Sequence, residues 1–247
     1  MRKNFENLIN LSEIDSTNNY ANHLISTESA ENGAVVLAQY QQKGRGQRDN
    51  YWESAPGKNL LGSIILYPYF LPVAKQFYLS KVTSLALIHW LKINKAEVSI
   101  KWPNDIYYGN LKIAGILIET SVKGNTLFSA VAGIGLNLNQ TEFSSMIPNP
   151  VSLKLITGLD YPLAEAAIEI RDVLMTWFQK LKNGAYEEID ANYYNSLYRK
   201  NEWSWYREKE RLTEARIIAI GEFGQLVLED RNGNINSYLF KEVEFVL

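Results

Sequence analysis

The chain contains no cysteine, which excludes disulfides, thiolate-held metals and a cysteine nucleophile. Histidine is nearly absent too. His23 and His89 both fall in helical stretches, without the spacing of metal ligands. Charge of one sign is not in excess: 25 Lys+Arg against 27 Asp+Glu leaves a net charge of −2, far from the basic surface used for broad nucleic-acid binding. Residues Met1 to Asn7 lack a signal-type apolar region, and no apolar run approaches the ~20 residues of a membrane span. The expectation is a cytoplasmic protein with no nucleic-acid and no membrane partner. The usual nucleotide fingerprints are missing as well. Gly44-Arg45-Gly46 is followed by Asp49 where a dinucleotide loop has its third glycine, and Gly57-Lys58-Asn59 has neither the upstream glycine nor the Ser/Thr of a phosphate loop. Any nucleotide must be held on another architecture.

What is present is an ordinary globular composition. The 247 residues are 46% apolar and 21% charged, enough for one large domain, or one medium domain with a small appendage. Asp15-Ser16-Thr17-Asn18 supplies N-cap residues before a helical pattern through Tyr20, Ala21, Leu24 and Ile25, and Gly33 ends that unit. Ala34 to Ala38 and Leu60 to Tyr67 read as strands around a polar, glycine-containing stretch. Apolar spacing predicts helices over 74–92, 162–181 and 186–198, with Pro162 in a first turn where proline is tolerated. Val98 to Trp102 is a strand stopped by Pro103. Residues 113–122 and 126–138 flank Lys123-Gly124-Asn125 as an antiparallel hairpin. Near residue 200 the character changes to short strands over 216–220, 226–230, 235–240 and 243–246, with the hairpin dipeptide Asn232-Gly233 between two of them. These elements place a small all-β domain after residue 200.

Two segments seek an anion. Lys101-Trp102-Pro103-Asn104-Asp105 and Lys112-Ile113-Ala114-Gly115-Ile116-Leu117-Ile118-Glu119 are strand-like pieces that each carry a lysine. A lysine at the mouth of an otherwise apolar strand needs a partner. Upstream, Gln41-Gln42-Lys43-Gly44-Arg45-Gly46-Gln47-Arg48 removes two Cβ atoms and offers two guanidinium forks suited to phosphate or carboxylate. A local basic loop on a near-neutral chain suits a small acidic ligand.

These segments, with Ser16-Thr17-Asn18 and Gly133-Ile134-Gly135-Leu136-Asn137, occur in the order and spacing of biotin protein ligases, which the first 140 residues resemble. The resemblance implies a monofunctional α+β enzyme. Its mixed sheet and helices would be akin to class II aminoacyl-tRNA synthetases and lipoate ligases, with a catalytic domain over 1–200 and an SH3-like β domain over 201–247. It implies ATP with Mg²⁺, biotin activated as biotinyl-5′-AMP, and transfer to a lysine of a biotin carboxyl carrier protein, by a monomer or homodimer. Lys112 would bridge the biotin carboxylate and the α-phosphate. Arg45 and Arg48 would meet the adenylate, with Arg48 standing in for the arginine that Gln47 replaces and Asp49 either solvated or paired to it. Asp105 would orient the carrier lysine or take its proton. Ser16, Thr17, Asn18, Gln41, Gly44, Arg45, Lys112, Gly115, Gly133 and Gly135 would hold biotin, with Ser16 and Thr17 also capping the helix. Arg48, Trp52, Asn104, Lys112 and Asn137 would meet the nucleotide, although the Pro-Asn-Asp turn also gives Asn104 a structural reading. The alternatives are a lipoate or octanoate ligase and a non-catalytic biotin-binding module. A repressor of the same kin would need a DNA-binding domain before Ser16, for which the sequence offers no room.

Overall fold

A computed structural model describes residues 6–46 and 51–246. Strand β1 (Leu8–Ile14) leads into helix α1 (Thr17–Ser26), then β2 (Val35–Gln41), β3 (Leu60–Leu66), helix α2 (Phe77–Ile93), β4 (Ser99–Lys101), β5 (Asp105–Tyr108), β6 (Leu111–Lys123) and β7 (Thr126–Leu136). Helices α3 (Leu153–Thr157), α4 (Leu163–Lys182) and α5 (Tyr186–Asn195) follow. Five short strands end the chain: β8 (Ser204–Glu208), β9 (Arg211–Ile220), β10 (Leu226–Asp230), β11 (Ile235–Tyr238) and β12 (Glu244–Phe245). The first seven strands form one sheet in the order β1-β2-β3-β7-β6-β5-β4. It is mixed, because β1 runs parallel to β2 while the other pairs are antiparallel. The last five form an antiparallel sheet, β11-β10-β9-β8-β12. The expected α+β class holds.

The expected helices and the β6–β7 hairpin are present, the third helix ending at Asn195 rather than Tyr198. Strands β1, β5 and β8 and helix α3 escape the sequence reading. β1 is a sheet-edge strand with half-buried and exposed side chains, so its apolar period is weak. β5 begins inside the Pro-Asn-Asp stretch that reads as a turn.

Alternation along the strands sorts the central sheet into two faces. Ala114, Ile116, Ala132, Ile134 and Leu136 share a buried cluster with Leu79, Val82 and Ala86 of α2 and Ile170 and Leu174 of α4. On the other face, Val36, Ile65 and Val131 are covered by Ala21 and Leu24 of α1. Past the reach of α1 that face continues through Gly133, Gly135 and Gly115. One register row, Lys101↔Asp105↔Gly115↔Gly135↔Leu61, crosses five strands. Three glycines leave this part of the sheet bare, and a cleft lies above it.

Candidate active site

The cleft has a volume of about 400 Å³, within the range of small-molecule sites. At one end stands the start of α1. Ser16 has the extended backbone of an N-cap (φ −157°, ψ 132°), but its hydroxyl makes no capping bond. The expectation that Ser16 and Thr17 cap the helix through their side chains is therefore corrected. Thr17 instead donates from both N and Oγ1 to Gln41 Oε1, at 2.7 and 3.0 Å. Ser63 Oγ lies 2.8 Å from Thr17 Oγ1 and 2.6 Å from Asn18 Oδ1. Asn18 Nδ2 donates to Glu119 Oε2 at 2.9 Å, and Asn22 Nδ2 reaches the same oxygen at 3.3 Å. Arg45 Nη2 pairs with that oxygen as well, at 2.9 Å. A polar chain thus runs from Gln41 to Arg45 through Thr17, Ser63, Asn18 and Glu119.

Ser63 and Glu119 were not singled out from sequence. The available signal was Ser63 itself, a hydroxyl in an otherwise apolar run, since buried polar groups are nearly always hydrogen-bonded. Gly133 faces Ser63 across the ladder, and a Cβ there would overlap the Asn18 side-chain amide.

Lys112 sits at the other end. Its backbone N–H donates to Asn149 O and its carbonyl accepts from Val151 N, at 2.7 and 3.0 Å. This ties the main chain to the segment before α3 and leaves the side chain free to enter the cleft. The ammonium lies 2.8 Å from Asp105 Oδ1 and 5.6 Å from the Trp52 ring. Lys112 and Arg45 both line the cleft, as expected, but each is met by a different carboxylate. β6 carries Gly115, beside Asp105, four residues before Glu119, about 13 Å of strand. Lys101, in register with Asp105, lies 3.3 Å from Tyr107 Oη and 5.4 Å from the Phe245 ring centre. Burial pushes the Lys101 ammonium below the ordinary lysine range, and the nearby Asp105 charge opposes that.

Trp52 lies across the floor. A Cβ on Gly135 would come within 2.5 Å of its ring, and one on Gly115 within 3.1 Å. Gly115 and Gly135, both expected among the residues that hold biotin, therefore lie beneath an indole. Trp52 Nε1 is buried without an acceptor among the described residues. Trp102 forms a wall and Asn104 lines the cleft, its Nδ2 donating to Ile116 O at 2.8 Å. Two expected site residues do not line the cleft. Asn137 is buried and donates to Val151 O at 3.1 Å, bracing the loop after β7. Gly44 serves a close approach instead: Trp52 N donates to its carbonyl at 3.0 Å, and a Cβ would meet Trp52 O at 2.5 Å. The φ of Gly44 is not positive. Arg48, with Gln47 and Asp49, lies outside the described residues. The far wall comes from the second sheet, through Phe240, Lys241, Val243, Glu244 and Phe245, which the sequence did not foreshadow.

Among the described residues no helix is long and apolar enough to cross a membrane, and no three His, Asp or Glu side chains group as a metal cage. Curated relatives include the bifunctional ligase/repressor BirA of Bacillus spizizenii, 33% identical over 136 residues, covering 55% of this chain and 41% of that protein. They also include the biotin–[acetyl-CoA-carboxylase] ligase of Paracoccus denitrificans, 38% identical over 131 residues, 52% of this chain and 53% of that one. The matches thus span about half or less of those proteins' lengths. The biotin protein ligase of Aquifex aeolicus, solved with biotin and ATP, superposes with a TM-score of 0.81 at 27% identity, over 98% of this chain and 100% of that one. The family model for the biotin/lipoate A/B protein ligases matches residues 11–137, and that stretch runs from β1 through the glycine floor to the end of β7. The chain belongs to the biotin/lipoate A/B protein ligase family.

Proposed function

We propose that the chain is an ATP-dependent ligase that activates biotin as biotinyl-5′-AMP and passes the biotinyl group to a lysine of a biotin carboxyl carrier protein. The observation that carries this reading is the pair of cationic side chains, Lys112 and Arg45, lining one cleft above Gly115, Gly133 and Gly135. A carboxylate and a polyphosphate repel each other, so their reaction needs positive groups fixed beforehand. The biotin carboxylate oxygen attacks the α-phosphorus and pyrophosphate leaves. The Lys112 ammonium meets both anions and stabilises charge on the oxygens between them. Asp105, 2.8 Å from that ammonium, holds it in place and in the second step takes a proton from the incoming carrier lysine. That amine attacks the acyl carbon and AMP departs. Ser16, Thr17, Asn18 and Gln41 line the cleft and offer donors and acceptors suited to the ureido head of biotin, with the buried Ser63 bracing Thr17 and Asn18 from behind.

Arg45 and Arg48 act on the adenylate, and Trp52 and Asn104 on the nucleotide. Mg²⁺ would be held chiefly by the ATP phosphates, with Asp105 and Glu244 as carboxylates that line the cleft and could add protein oxygens; it would neutralise phosphate charge. Residues 1–200 form the catalytic unit and 201–247 the small β unit. The biotin and ATP of the Aquifex neighbour support both substrates. The test is incubation with ATP, Mg²⁺ and either biotin or lipoate, followed by mass spectrometry for the acyl-adenylate. Biotinyl-AMP is expected; lipoyl-AMP without it would overturn the choice of substrate.

A further inference from the structure

Trp102 is held from the far end of the chain. Its indole Nε1 donates to Gly224 O at 2.8 Å, in a buried bond. Gly224 lies in the turn between β9 and β10, where Gly221 N donates to Gln225 O at 2.8 Å and Gly224 N to Gly221 O at 3.0 Å. The backbone there is left-handed (φ +89°), and a Cβ would fall 2.5 Å from the Phe77 ring at the start of α2. Glycine alone brings this carbonyl to the indole without strain. From another side, Phe240 meets the Trp102 ring edge-on at 6.3 Å and Phe245 covers the Lys101 ammonium. The two residues that precede the Pro103-Asn104-Asp105 turn are therefore gripped by the second sheet from two directions. β4 is a three-residue strand at the edge of the central sheet, tied on its outer side to the segment after α5, with Ile100 N donating to Ser196 O at 2.7 Å and Tyr198 N to Ile100 O at 2.9 Å; these bonds hold the β4 backbone, while the Trp102 indole N–H is held by Gly224.

We infer that the second sheet is a positioning element of the site: the Gly224 carbonyl, acting through Trp102, sets where Asp105 presents its carboxylate to Lys112. The inference rests on the ligase reading for its kinetic consequence, but not for its structural one. The variant is Trp102→Phe in the full chain, which keeps the ring and deletes the N–H. Displacing a reacting group by about 1 Å can reduce a rate up to 10²-fold. We expect kcat for biotin-dependent pyrophosphate release to fall about tenfold, and KM for biotin to stay within twofold, because Thr17, Gln41 and Ser63 are untouched. In an Asp105→Asn background the same change should have no further effect. Amide hydrogen exchange over residues 99–108 should quicken in Trp102→Phe while that of β6 and β7 holds. Unchanged exchange there, or an equal loss of rate with and without Asp105, overturns the inference. If the unaltered chain makes no acyl-adenylate, the ligase reading fails and the exchange comparison still decides the clasp.

Discussion

At the scale of single residues, the two cations singled out in the cleft are each paired with a carboxylate. Lys112 rests on Asp105 and Arg45 on Glu119, all four side chains partly open to solvent. Pairs of this exposure contribute about 0–1 kcal/mol to stability; under the proposed function their value lies in holding cations where an anion will arrive. Lys112→Ala should leave the melting temperature within about 2 °C and reduce biotinyl-adenylate formation by roughly 10²–10³-fold, measured as pyrophosphate release. A near-normal rate would remove Lys112 from its role. Lys112 and Arg45 were legible in the sequence because a lysine at the mouth of an apolar strand and an arginine between glycines each demand an explanation. Asn137 misled for a physical reason: an amide after a glycine-rich strand looks the same whether it faces a ligand or a backbone carbonyl. Its bond to Val151 O belongs to the loop, and only the fold turns it that way.

At the scale of elements, the site depends on how closely α1 and the β6–β7 hairpin approach each other. Gly133 lets the Asn18 amide lie against β7 and reach Ser63 and Glu119. Gly133→Ala forces that amide away. Overpacking of this kind costs about 1–3 kcal/mol and breaks the polar chain from Gln41 to Arg45. The expected result is a lower melting temperature with a raised KM for biotin, and adding Asn18→Ala should recover the stability but not the KM. Failure of the second change to restore melting would place the strain elsewhere. The hairpin itself was readable, since Lys123-Gly124-Asn125 separates two apolar runs. β1 was not, because a half-buried edge strand has little pattern to read. Ser16 shows a subtler limit: the sequence correctly marked the helix start, but the hydroxyl makes no cap bond.

At the scale of the whole molecule, the two sheets share one buried cluster. Ile100, Tyr193 and Leu197 before residue 200 belong with Tyr206, Ile217 and Val243 after it. A shared core couples the two units, so calorimetry should show one transition with equal calorimetric and van't Hoff enthalpies. Two separated transitions would show that the second sheet melts on its own. The contact also explains why the second sheet reaches the cleft, through Phe240 and Phe245, although the sequence marks it only as an all-β tail.

By itself, the sequence determined the class of the fold, the break in character near residue 200, the family, and which lysine and arginine to look for in the cleft. These rest on local patterns: strand alternation, helix starts, glycines and charge placed at strand ends. The tertiary structure alone decided that Ser63 and Glu119 join the site, that Trp52 lies on the glycine floor, and that Gly224 grips Trp102 across 122 positions. Contacts between segments far apart in the chain leave no periodic trace in either segment, because each is specified only by the shape of the other.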